Sequence, residues 1–337
     1  MTIPSYRSLV FGLLLLIAAG CTKKKETPAA PAAGSSSIAY VLNDNFTFSS
    51  FYKDLSNAGL IDTLGSAHRF TALAPNNDAY TLTSISLSLQ FRTPVTLLSA
   101  AAYHILSDSV VFGPMPLVQN KPLMTLSGQP VFLSKYEEAG DTITTVNGLR
   151  LVSMDNPASN GSIQVLPEIM KPLFYPTLDG RMRNDTLLTL FCAMVQRAGL
   201  DSLLASSDVY TVLAPYNPSL RSTAGQPGSL DISSLDRIAA ADPDTLKNMV
   251  EYCILKDRYF LGDLYHSEYT QPAGVTMLNG ETIGITGSPN GYNSIRFTGR
   301  TGVVAGIYSF NVANSYIYSD FPCGNGVLHI INQVLIP

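Results

Sequence analysis

No tryptophan occurs anywhere in this chain, although tyrosine occurs 17 times, so any flat aromatic surface must be built from Tyr or Phe. Cysteine is scarce, at Cys21, Cys192, Cys253 and Cys323. Setting Cys21 aside leaves an odd number, which excludes a fully paired intramolecular disulfide framework. No Cys-x-x-Cys occurs, and none of the four histidines stands at metal-ligand spacing from another His or Cys. Charge is thin: 14% of residues are Asp, Glu, Lys or Arg, with a formal net charge of −4. No basic block follows Lys25, which argues against a nucleic-acid partner. Beyond the first twenty residues no apolar run is long enough to span a bilayer. The enzyme signatures are missing too: no Gly-x-Ser-x-Gly elbow, no phosphate loop, no His-Glu-x-x-His. The sequence therefore predicts no catalytic residues, no metal and no cofactor. What remains is 46% apolar, ample for packed cores.

The N-terminus reads as an address. Arg7 precedes an apolar run from Leu9 to Ala19, about half of the ~20 residues a spanning helix needs, and Ala18-Ala19-Gly20 leads into Cys21. Residues 1–20 resemble a bacterial lipoprotein signal, which implies lipid attachment at Cys21; Ala18 stands where Leu is usual. An ordinary secretory signal is the plainer alternative. Residues 21–37, with Lys23, Lys24, Lys25, Pro28, Pro31 and a Ser run, have too little apolar surface to order and read as a flexible tether.

The rest of the chain repeats itself. A helical pattern ending Ala58-Gly59-Leu60 recurs as Ala198-Gly199-Leu200, with Gly59 and Gly199 suited to C-terminal caps. Phe70-Thr71-Ala72-Leu73-Ala74-Pro75-Asn76-Asn77 recurs as Tyr210-Thr211-Val212-Leu213-Ala214-Pro215-Tyr216-Asn217, a strand running into a Pro-bounded turn. Tyr103-His104-Ile105-Leu106 matches Tyr252-Cys253-Ile254-Leu255, and Leu126-Ser127-Gly128 matches Leu278-Asn279-Gly280. Each half closes on Asn-Gly and an alternating strand ending at Pro, at 160–172 and 325–337. Asn-Gly predicts a tight turn with both residues at positive φ, and the alternation predicts a half-buried strand. The spacing between matches only grows along the chain, as duplication followed by insertion would leave it.

These motifs closely resemble the fasciclin-like domain: the Thr-x-Leu-Ala-Pro-x-Asn turn twice, the Tyr103-His104 pair, and Asn325-Gly326-Val327-Leu328-His329-Ile330-Ile331-Asn332-Gln333-Val334-Leu335-Ile336-Pro337. The second copy has Cys253 where the central His is usual, and the first has Gln164 in place of the closing His. The resemblance implies an α/β (α+β) chain of two tandem domains, 38–173 and 180–337, each a wedge-shaped β-sandwich with packed helices. It also implies adhesion or matrix contact rather than catalysis, with Tyr103 and His104 as candidate interaction residues. The residues themselves favour a core role for both His104 and His329, which lie in apolar runs.

Tyr265, Tyr269, Tyr308, Tyr316, Tyr318 and Phe321 raise the question of a sugar-binding face, with Tyr316 and Tyr318 as candidates; strand packing is the plainer reading. Glu137-Glu138 reads as a charged hairpin end, not a catalytic pair. Asp185 and Asp244 are placed to cap helices. Cys192 and Cys253 read as small core residues that pair only if their helices adjoin. The expectation is a non-catalytic outer-membrane lipoprotein meeting a surface protein or polysaccharide. A polysaccharide-binding accessory protein is the first alternative, and a hydrolase assembled only in space has the least in its favour.

Overall fold

A computed structural model describes residues 36–83, 94–138, 140–225, 230–287, 294–310, 316–317 and 319–337. Cys21 and Tyr318 lie outside them, and Tyr316 is described only as backbone.

Two copies of one arrangement follow each other. The first holds β1 (Phe70–Pro75), β2 (Ile105–Leu106), β3 (Val118–Met124), β4 (Pro130–Glu138), β5 (Asp141–Val146), β6 (Leu149–Arg150), β7 (Ser153–Ala158) and β8 (Gly161–Leu166). The second holds β9 (Tyr210–Pro215), β10 (Ile254–Lys256), β11 (Val275–Thr276), β12 (Thr282–Thr286), β13 (Arg296–Thr298), β14 (Val304–Gly306), β15 (Ser309–Phe310), β16 (Tyr316–Ile317), β17 (Phe321–Cys323) and β18 (Gly326–Ile331). One sheet in the first copy has order β2-β1-β8-β7, and its counterpart in the second has order β10-β9-β18-β17. In both, the central pair is parallel and the outer pairs antiparallel. A second sheet, β3-β4-β5-β6 or β11-β12-β13-β14, completes each domain.

The central strands are buried along their whole length rather than half-buried, because helices cover one face of the sheet and the second sheet the other. Alternation sorts the two cores: Phe70, Ala72 and Ala74 pack with the helical residues Leu42, Phe51 and Leu55, while Leu73 points the other way to Val131, Leu133 and Val146. The second copy repeats this, with Val212, Leu328 and Ile330 on the helical side and Leu213 and Ile331 on the sheet side.

The motif residues are structural ties. Both helices, Ser49–Asn57 and Thr189–Arg197, close through a left-handed glycine, Gly59 at φ 72° and Gly199 at φ 70°. Asn77 donates to Phe46 O and accepts from Ser50 N; Asn217 donates to Thr186 O and accepts from Leu190 N. The closing Asn-Gly is a different device from the turn its sequence suggests. The two-residue turns are Ser159-Asn160 and Gly324-Asn325, and each glycine is the first residue of the next strand. Asn160 donates to Leu64 O and Ser66 O and accepts from Ile38 N; Asn325 does the same with Leu204 O, Ser206 O and Leu178 N. A Cβ on Gly161 or Gly326 would sit 1.8 or 1.9 Å from the carbonyl oxygen of Phe70 or Tyr210, so close strand approach, not turn formation, demands glycine. The turn with both residues at positive φ is Asn147-Gly148, joining β5 to β6.

Asp185 caps its short helix by accepting from Leu187 N, as expected. Asp244 does not cap: Asp242 accepts from Thr245 N instead, because Pro243 fills the first helical position and needs no hydrogen-bond partner there. Among the described residues no helix is long and apolar enough to cross a membrane.

Candidate interaction site

Tyr103 and His104, the residues the resemblance offers for contact, are both fully buried. The neutral His104 ring is used at both nitrogens: Nδ1 donates to Ala100 O at 2.9 Å and Nε2 accepts from Met170 N at 3.0 Å. Burial holds its pKa down at about 4. Tyr103 donates to Pro130 O and accepts from Asn147. Neither side chain is presented to a partner, because the helix Pro94–Tyr103 ends against β2 and turns both inward. In the closing motif His329 accepts from Asp320 N and reaches Tyr259 O at 2.9 Å, and Gln164 takes the equivalent place by accepting from Asp155 N. The departure from His to Gln in the first copy thus preserves one hydrogen bond.

The aromatic candidates divide. Tyr265 is a core residue, Tyr308 packs against Tyr216 as a tilted pair with ring centroids 4.4 Å apart, and Phe321 meets both the Lys171 ammonium and the Arg181 guanidinium, at 4.7 and 4.4 Å. Cys192, Cys253 and Cys323 are free thiols, and burial raises the pKa of Cys192 to about 11 and of the other two to about 12. Glu137 and Glu138 stand at the end of the β4–β5 hairpin. Among the described residues no three His, Cys, Asp or Glu side chains gather to hold a metal ion.

The most elaborate polar arrangement lies where the two domains meet. The outward face of β4 carries Phe132, Ser134 and Tyr136, and onto it packs the helix Leu261–Thr270 of the second copy. Phe132 meets Phe260 at 6.1 Å, and Tyr136 stacks on His266 at 4.1 Å while donating to Gly262 O. Arg258 lies 4.0 Å over Phe132 and donates to the carbonyls of Cys323, Gly324 and Gly326. Asn120 donates to Arg258 O, and Lys171 donates to Ser319 O. Asp263 is buried at the centre: one carboxylate oxygen accepts from Phe260 N, the side chains of Ser134 and Asn120 approach the group, and desolvation raises its pKa to about 6. Asp320, also desolvated, is raised to about 7 while accepting from Leu261 N.

Sequence reasoning did not reach this seam. Its one signal was β4, whose outward positions Phe132 and Tyr136 are aromatic although its inward positions Val131 and Leu133 already fill a core.

The fasciclin domain model matches residues 46–172 and 186–337. The chain belongs to the fasciclin domain family. Relatives within it include the transforming growth factor-beta-induced protein ig-h3 of Oryctolagus cuniculus, 27% identical over 80% of this chain and 35% of that protein. Human periostin is 26% identical over 86% of this chain and 30% of its own length, and Fasciclin-1 of Drosophila melanogaster 21% identical over 87% and 44%. The chain thus spans less than half the length of these relatives. The solved fasciclin domain pair of the insect cell adhesion molecule Fasciclin I aligns with a TM-score of 0.40 at 17% identity, covering 87% of this chain and 98% of that one.

Proposed function

We propose that this fasciclin chain is a non-catalytic envelope lipoprotein, held by a lipid on Cys21 and mediating adhesion-type contact with a surface protein or polysaccharide. The observation that carries the reading is the family match across both copies, together with relatives that include ig-h3, periostin and Fasciclin-1. Burial of His104, His329 and Cys253 supports a binding scaffold over an enzyme, since a nucleophile or base must reach its substrate. The charged, Pro-containing tether then holds the domain pair away from an outer-membrane surface.

The test combines metabolic lipid labelling with protease shaving of intact cells. The full chain should incorporate labelled lipid and fractionate with membranes, and Cys21→Ser should do neither. Shaving then reports which side of the membrane the pair faces. A chain that fractionates as soluble and takes up no label sinks the anchored reading.

A further inference from the structure

A cavity of about 180 Å³ opens at the domain seam, walled by β3 and β4 of the first copy and by the helix Leu261–Thr270 of the second. Gln119, Tyr136, Tyr259, Asp263, His266 and Gln271 line it. From this lining we infer that the seam is a binding site for a single neutral, hydroxyl-rich ring, the terminal or branching unit of a saccharide.

Elimination by chemistry leads there. A metal ion would need a cluster of carboxylate, imidazole or thiolate ligands, and among the described residues no group of three exists. An anion would confront Asp263. It would find no ready cation either, because the ammonium of Lys135, which also borders the cavity, donates to the carbonyls of Phe112, Gly113 and Met115. A purely apolar group would cover the Asp263 carboxylate and the His266 imidazole while offering neither a partner. Sugar hydroxyls both donate and accept, and so does this lining: a carboxylate, two primary amides and an imidazole kept neutral by desolvation.

Two further observations point the same way. His266 Nδ1 is buried and unpartnered, and Asp263, 5% exposed beside it, is held by Phe260 N and approached by the side chains of Ser134 and Asn120. Buried polar atoms of that kind are rare in the absence of a further partner. Tyr136 and His266, stacked on each other, both border the cavity and give part of its wall an apolar character suited to the C–H groups of a pyranose. The volume is below that of a drug-sized pocket and suits one ring rather than an oligosaccharide. Because each domain supplies part of the lining, neither domain alone carries the site.

The inference adds a ligand class to the anchored-adhesin reading and stands apart from it: loss of the lipid would leave the cavity unchanged. The full chain is titrated with methyl glycosides of common hexoses, with ethylammonium and acetate as charged controls, and binding is read by saturation-transfer NMR. At least one methyl glycoside should saturate in the millimolar range, the controls should not, and Asp263→Asn should weaken binding about tenfold. The exposed pair Gln119→Ala/Gln271→Ala should also weaken it without changing the melting temperature, which keeps the test intact if Asp263→Asn fails to fold. Failure of every glycoside to saturate means a cavity filled by water only and overturns the inference. So does saturation by ethylammonium alone, or glycoside binding unaltered in the glutamine pair.

Discussion

At the scale of single residues, the polar positions of the repeated motifs are internal fasteners. His104 is the clearest, because its environment contains no charged partner: desolvation lowers its pKa to about 4, opposed only by the hydrogen bond to Ala100 O. Its folded pKa lies below the unfolded value of about 6.5, so its contribution is complete above pH 6.5 and is lost as pH falls toward 4. The full effect is about 3 kcal/mol, since protonation puts a second N–H against the Met170 amide. The melting midpoint of the first domain should therefore fall between pH 6.5 and 4.5, and the fall should be shallower in His104→Gln. Asp263 and Asp320, with raised pKa values of about 6 and 7, act in the opposite sense, contributing most at low pH. Comparison with the variant cancels their share. An imidazole signal for His104 that titrates near pH 6.5 would contradict this account.

At the scale of elements, what was legible in the sequence follows from what repetition can record. The Ala-Gly-Leu helix ends, the Ala-Pro-x-Asn turns and the paired closing strands all recur because each makes the same local contacts twice, such as Asn77 and Asn217 onto their helices. The helix Leu261–Thr270 was not legible. The first copy has no helix between β2 and β3, so nothing recurs to mark it, although Leu261, Leu264 and Tyr265 pack at helical spacing into the second domain's own core while another face meets β4. That His104 points inward was legible, because the residues around it form an apolar run; the burial of Tyr103 beside it was not read from the sequence. The close fit of the helix is testable. A Cβ on Gly262 would lie 2.8 Å from Gly148 O, so Gly262→Val should open the seam at a cost of about 1–3 kcal/mol. Small-angle scattering should show a longer particle, while circular dichroism retains both domains. A scattering profile identical to the parent would mean that the seam is not what holds the pair.

At the scale of the molecule, the two copies use equivalent faces differently, and that difference limits how the protein assembles. The outward face of β4 presents Phe132, Ser134 and Tyr136 and is covered by the second domain. In the second copy the matching strand β12 presents Thr282, Gly284 and Thr286, all exposed, with Ile283 and Ile285 turned to the core. If that face docked another chain as the first one docks its neighbour, the contact would be head-to-tail and unclosed, and chains would grow. Flat polar Thr and Gly positions offer little apolar area to drive such growth. The pair should therefore be the terminal unit, with two domains held in fixed relation by one seam and, where anchored, raised together on one tether. The double variant Thr282→Arg/Thr286→Arg tests this by placing two like charges on the open face. Its sedimentation should match that of the parent across a wide concentration range. A parent that grows with concentration, and a variant that does not, would show that the open face is an assembly surface after all, because such a contact would bury the introduced guanidinium groups without partners.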